Sequence, residues 1–130
     1  MAKRILVVDD DADFQEAIDL ILGDAGYEVT KAYNARQAMD RLRSEPFDLI
    51  LLDVMMETDT EGFHLAYQIR ENPKLRDTPI VIMTCIEQTT GVGLELEKAG
   101  DFLPVDAYLR KPVDAELLKE TVAKLVGRQG

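Results

Sequence analysis

The sequence predicts an α/β domain built on a parallel sheet, and three observations carry that prediction. Short apolar runs of strand length alternate with stretches whose apolar residues recur at helical spacing. This βα alternation repeats five times along the chain. One run, Leu49-Ile50-Leu51-Leu52, is apolar at every position, as a strand covered by helices on both faces should be. At 130 residues the chain is close to the commonest single-domain size, so one domain spanning 1–130 is expected.

The first strand is Ile5-Leu6-Val7-Val8, closed by Asp9 and Asp10. Phe14, Ala17, Ile18, Ile21 and Leu22 then mark one face of a helix that stops near Gly23 to Gly26. Tyr27 to Tyr33 forms the second strand. Ala35, Ala38, Met39 and Leu42 give a second helical stripe, which ends before Pro46 because proline disfavours helical backbone in the residue ahead of it. Asp48 to Leu52 is the third strand, and its unbroken apolarity predicts a central position. Phe63, Leu65, Ala66 and Ile69 define a third helix ending near Asn72-Pro73. Pro79 to Thr84 is the fourth strand, with its proline at the start where no ladder bond is lost. Thr89, Thr90, Gly91 and Gly93 weaken the start of a fourth helix before Leu94, Leu96 and Ala99 carry it to Gly100. Val105 to Arg110 supplies the fifth strand. Asp114 caps a final helix whose apolar face is Leu117, Leu118, Val122, Leu125 and Val126, stopped by Gly127.

Composition narrows the function. With 25 Asp and Glu against 15 Lys and Arg the formal net charge is −10, which argues against a nonspecific nucleic-acid binder, since that mode needs a basic surface. Anionic membranes are poor partners for the same reason. No apolar stretch approaches the ~18 residues of a membrane span, and Met1-Ala2-Lys3-Arg4 leads into a strand without a cleavage signal. A soluble cytoplasmic protein is therefore expected. Cys85 is the only cysteine, so an intramolecular disulfide and a cysteine-rich metal site are both excluded.

The chemistry gathers at strand ends. Asp9 and Asp10 close the first strand and Asp53 closes the third; if those strands are parallel neighbours, three carboxylates share the sheet edge where open α/β folds place ligands. Such a cluster repels itself unless a cation lies between the charges, and hard oxygen donors with room for water suit Mg2+. Thr84 and Lys111 fall at the ends of the fourth and fifth strands. The four segments read ILVVDD, DLILLDVMM, PIVIMT and DAYLRKP.

In order and context these segments resemble the receiver domain of bacterial two-component response regulators, over about Lys3 to Val126. Four independently placed segments are far more specific than any single aspartate. The resemblance implies a flavodoxin-like, doubly wound sheet of five parallel strands in the order 2-1-3-4-5, with helices on both faces. Because the resemblance covers nearly the whole sequence and leaves nothing to encode an effector, a stand-alone unit of the chemotaxis-receiver kind, with no output domain, is expected.

What the resemblance implies for the residues follows family roles. Asp53 is the expected phosphoacceptor, its carboxylate attacking a phosphohistidine on a sensor histidine kinase or phosphotransfer protein to form an aspartyl phosphate. Asp9, Asp10, Asp53 and the backbone carbonyl of Met55 are expected to hold Mg2+, which offsets charge during in-line transfer. Lys111 pairs with a phosphoryl oxygen. Thr84 donates its hydroxyl to another, and its movement leaves space for Tyr108 to rotate inward, the switch that alters contacts with a downstream protein target. Met55 and Ile86 stand two residues past Asp53 and Thr84, where the family controls access of hydrolytic water. Both are apolar and cannot orient that water, so slow autodephosphorylation is expected.

Plainer readings hold elsewhere. Asp11 reads as a helix N-cap or first-turn acid, His64 as a helix-surface histidine without ligand partners, and Cys85 as a small buried hydrophobe. Two stretches depart from the family pattern. Glu57-Thr58-Asp59-Thr60-Glu61 precedes Gly62 where the family commonly has a proline and an earlier glycine. Residues 99–106 form a longer join into the fifth strand, at the fourth-helix to fifth-strand face where receivers meet partners; a monomer or weak dimer through that face is expected. Two alternatives fit less well. An aspartate-nucleophile phosphohydrolase needs a second acid two residues after the nucleophile, where Met55 stands. A receiver that never takes phosphate would not need the intact acids, threonine and lysine.

Overall fold

The computed structural model describes residues 3–53, 61–75, 77–84, 107–110 and 113–127. Five strands, β1 (Arg4–Val8), β2 (Glu28–Ala32), β3 (Leu49–Asp53), β4 (Ile80–Thr84) and β5 (Ala107–Arg110), pair in parallel in the order β2-β1-β3-β4-β5. Four helices are described: α1 (Ala12–Asp24), α2 (Ala35–Ser44), α3 (Glu61–Glu71) and a C-terminal helix (Ala115–Gly127). The sequence-predicted helix through Leu94 and Ala99, and the start of the fifth strand at Val105, lie outside the described residues.

Strand alternation sorts the core into two layers. Leu6, Val8, Ile50, Leu52, Ile80 and Ile82 point to one face and pack with Ala38 and Leu42 of α2 and Leu65, Ala66 and Ile69 of α3. Ile5, Val7, Leu49, Leu51, Val81 and Met83 point to the other, against Ile18 and Leu22 of α1 and Leu118, Val122 and Leu125 of the C-terminal helix. Every residue of β3 is buried, which matches its place between two neighbours and two helical layers.

Local chemistry sets the helix ends. Asp11 is the N-cap of α1, its carboxylate accepting from the backbone N–H of Asp13 at 2.9 Å and Phe14 at 3.2 Å. Asn34 caps α2 through Gln37 N–H, and Gln37 in turn accepts from Tyr33 N–H. Asp114 accepts from Leu117 N–H at the start of the C-terminal helix, as predicted. Helix α1 ends in a left-handed turn: Gly26 has φ +98°, Gly26 N–H reaches Gly23 C=O and Tyr27 N–H reaches Leu22 C=O. Only glycine adopts that φ without strain.

Two predicted apolar positions differ. Ala17 is exposed and Gln15 is buried in its stead, because α1 presents the 15/18/22 line to the sheet, with Phe14 and Ile21 half-buried on its flank. Leu117 is 49% exposed, since Leu118, Val122 and Leu125 already fill the contact row of its helix.

Candidate functional site

Register brings the acids together. Val8 pairs with Leu52, so the residues that follow, Asp9 and Asp53, end neighbouring strands at the same level. By alternation both continue rows that begin on one sheet face, Ile5-Val7 for Asp9 and Leu49-Leu51 for Asp53. Asp10 lies one residue further on. One carboxylate oxygen from each of Asp9, Asp10 and Asp53 lies within 4.8 Å of the other two. Asp9 is fully buried, Asp53 is 2% exposed and Asp10 is exposed, so the cluster opens to solvent on one side. No other group of three His, Cys, Asp or Glu side chains has such spacing among the described residues.

The backbone around the cluster is held from several directions. Asp9 N–H donates to Ala32 C=O at 3.0 Å, tying the end of β1 to the end of β2. Asp11 N–H donates to Asp9 Oδ1 at 2.9 Å, which orients that carboxylate as the chain turns into α1. Sequence reasoning assigned Asp11 to capping rather than ligation, and its carboxylate is spent on Asp13 and Phe14.

Gln15 was missed. It is fully buried, and its Nε2 lies 3.0 Å from Val7 C=O, 3.1 Å from Asp9 C=O and 2.8 Å from Ala32 C=O. The available signal was a polar side chain in helical phase with Ile18 and Leu22, one turn after the acids.

The remaining predicted positions are set by register. Asp53 pairs with Met83 and Thr84 with Arg110, so Thr84 lies one residue beyond the level of Asp53 on the adjacent strand. Tyr108 pairs with Ile82, two levels lower than Arg110. Thr84 and Tyr108 are described by their backbone only; Met55, Cys85, Ile86, Lys111 and the stretches 57–60 and 99–106 lie outside the described residues.

A family model for the response regulator receiver domain matches residues 5–123. The chain belongs to that family. Among solved structures the receiver domain resembles the chemotaxis response regulator CheY4 of Vibrio cholerae, with 29% identity and a TM-score of 0.82 over 96% of this chain and 99% of that one. It resembles the response regulator TrrA of Thermotoga maritima in complex with Mg2+-BeF, with 32% identity and a TM-score of 0.76 over 95% and 98% of the two chains. The response regulator ArlR of Staphylococcus saprophyticus is 32% identical over 97% of this chain but only 53% of its own length. The chain thus spans about half the length of that relative, and a quarter of the transcriptional regulator ZraR of Salmonella typhimurium.

Receiver domains bind Mg2+, and the donor set fits such an ion: among the described residues it is three carboxylates with no nitrogen or sulfur donor, and Asp10 leaves it open to solvent. No described helix is long and apolar enough to cross a membrane.

Proposed function

We propose that Asp53 is the phosphoacceptor of a two-component relay. A carboxylate oxygen of Asp53 attacks the phosphorus of a phosphohistidine on a sensor histidine kinase or phosphotransfer protein in the cytoplasm. The new bond is P–O, the P–N bond breaks, and the electron pair leaves with the imidazole. Asp9, Asp10, Asp53 and the backbone carbonyl of Met55 hold Mg2+, which when bound supplies countercharge to the phosphoryl oxygens and the carboxylate. The observation that carries the reading is the convergence of three carboxylates within 4.8 Å, two of them buried. Carboxylates this close repel one another, and a bound cation relieves that repulsion.

Lys111 neutralises one phosphoryl oxygen and the Thr84 hydroxyl donates to another; Tyr108 follows Thr84 and alters the surface offered to a downstream protein target. The register supports this set, since Thr84 and Arg110 share a level and Lys111 follows Arg110 directly. Apolar Met55 and Ile86 leave an attacking water without a hydrogen-bonding guide, so the aspartyl phosphate is long-lived. Replacing both with polar residues accelerates loss of radiolabelled phosphate; an unchanged rate removes the water-access argument.

The test of the acceptor is incubation with acetyl phosphate, or beryllofluoride, plus Mg2+. The parent gains one phosphoryl group by intact mass, or a single set of NMR shifts with the fluoride mimic, and Asp53→Ala gains nothing. Modification of the alanine variant at unchanged stoichiometry moves the acceptor elsewhere.

A further inference from the structure

We infer that Gln15 is a positioning residue for the acid cluster, fixing the peptide that joins Asp9 to Asp10; this rests on the metal-binding reading of that cluster. The carbonyl of Asp9 and the N–H of Asp10 belong to one rigid peptide plane, so a bond to that carbonyl restricts the backbone rotation next to both acids. Gln15 Nε2 makes such a bond at 3.1 Å. The same nitrogen holds Val7 C=O, one strand row earlier, and Ala32 C=O, which also accepts from Asp9 N–H. The backbone N–H of Gln15 meanwhile donates to Asp11 C=O at 3.0 Å. A closed circuit results: strand end, acids, helix start and glutamine amide each constrain the next.

Packing alone does not account for a glutamine here. The residue is fully buried, in line with Ile18 and Leu22, where an apolar side chain of similar volume would fill the space. Its Oε1 is buried and has no hydrogen-bond partner among the described residues, a desolvation cost that methionine would avoid. What the amide adds over methionine is an NH2 group whose two hydrogens are shared among three carbonyls around the acids. Rigid placement matters there because Mg2+ tolerates little departure from octahedral geometry.

The experiment is a Mg2+ titration of the full chain followed by NMR and calorimetry. Gln15→Met keeps the volume and removes the donors, and its Mg2+ Kd rises about tenfold. Phosphorylation by acetyl phosphate slows at low Mg2+ and recovers at saturating Mg2+, a change in affinity rather than in maximal rate. Ile18→Val, which loosens the same helix without touching the acids, leaves the Kd unchanged. In the parent, the Gln15 side-chain NH2 signals shift on Mg2+ addition with the same midpoint as the Asp10 amide, a readout that holds even if the methionine variant does not fold. A Kd within twofold of the parent, an equal loss in Ile18→Val, or NH2 signals that ignore Mg2+ each overturn the role of Gln15. A parent that binds no Mg2+ overturns the metal reading itself, before any variant is compared.

Discussion

Removing a charge from the acid cluster stabilises the metal-free protein, and Asp53→Asn is the cleanest way to do so. Asparagine keeps the shape of the side chain and part of its hydrogen-bonding capacity while deleting the charge. The cluster oxygens lie within 4.8 Å of one another. Two unit charges at that distance repel by about 3.5 kcal/mol at an effective dielectric of about 20. Asp10 is exposed, so water and salt screen its share, and the repulsion that survives is chiefly between the buried pair Asp9 and Asp53. After relaxation, the partial loss of acceptor strength and the weakening of the other interaction Asp53 makes, the expected gain is about 2 kcal/mol in EDTA at low salt. For a domain of this size that is a rise in Tm of about 6 °C. The assay is urea unfolding of parent and variant, each in EDTA and in MgCl2. With Mg2+ at about ten times its Kd the parent gains about 1.4 kcal/mol. Asp53→Asn, lacking one ligand charge, gains a small fraction of that. A variant less stable than the parent in EDTA, or an equal Mg2+ increment in both proteins, refutes the charge-repulsion reasoning.

Other substitutions separate the scaffold from the site. Leu51→Ala, in the fully buried central strand, costs about 3 kcal/mol of stability by urea unfolding, because the flanking strands and helices cannot collapse into the space. Asp11→Ala costs about 1 kcal/mol and speeds hydrogen exchange at Asp13 and Phe14, whose N–H groups lose their cap. Leu20→Lys stays within about 0.5 kcal/mol of the parent, since Leu20 is 75% exposed on α1.

The acid cluster and the core respond to different physics, and the sequence speaks to them unequally. The βα alternation within the described residues, the both-sided apolarity of 49–52 and the capping acids at 11 and 114 are local signals, and each corresponds to an element or cap in the structure. The family segments extend that legibility to strand order and to the pairing of Asp53 with Asp9 and Asp10. Helix phase was less legible. A modest rotation of the inward face of α1 takes in Gln15 and leaves Ala17 out, because several apolar side chains on a helix satisfy more than one choice of buried face.

By itself the amino-acid order determined the types of the described elements, the acidic character and which acids close the strands, since these depend on side-chain type and short-range spacing. The tertiary structure alone decided that Val8 stands opposite Leu52, which brings carboxylates 44 positions apart in the chain within 4.8 Å. It also decided that a glutamine amide from the following helix holds the peptide between two of them. Strand register and helix phase are settled by packing between distant segments, and no local pattern encodes a distance across the sheet.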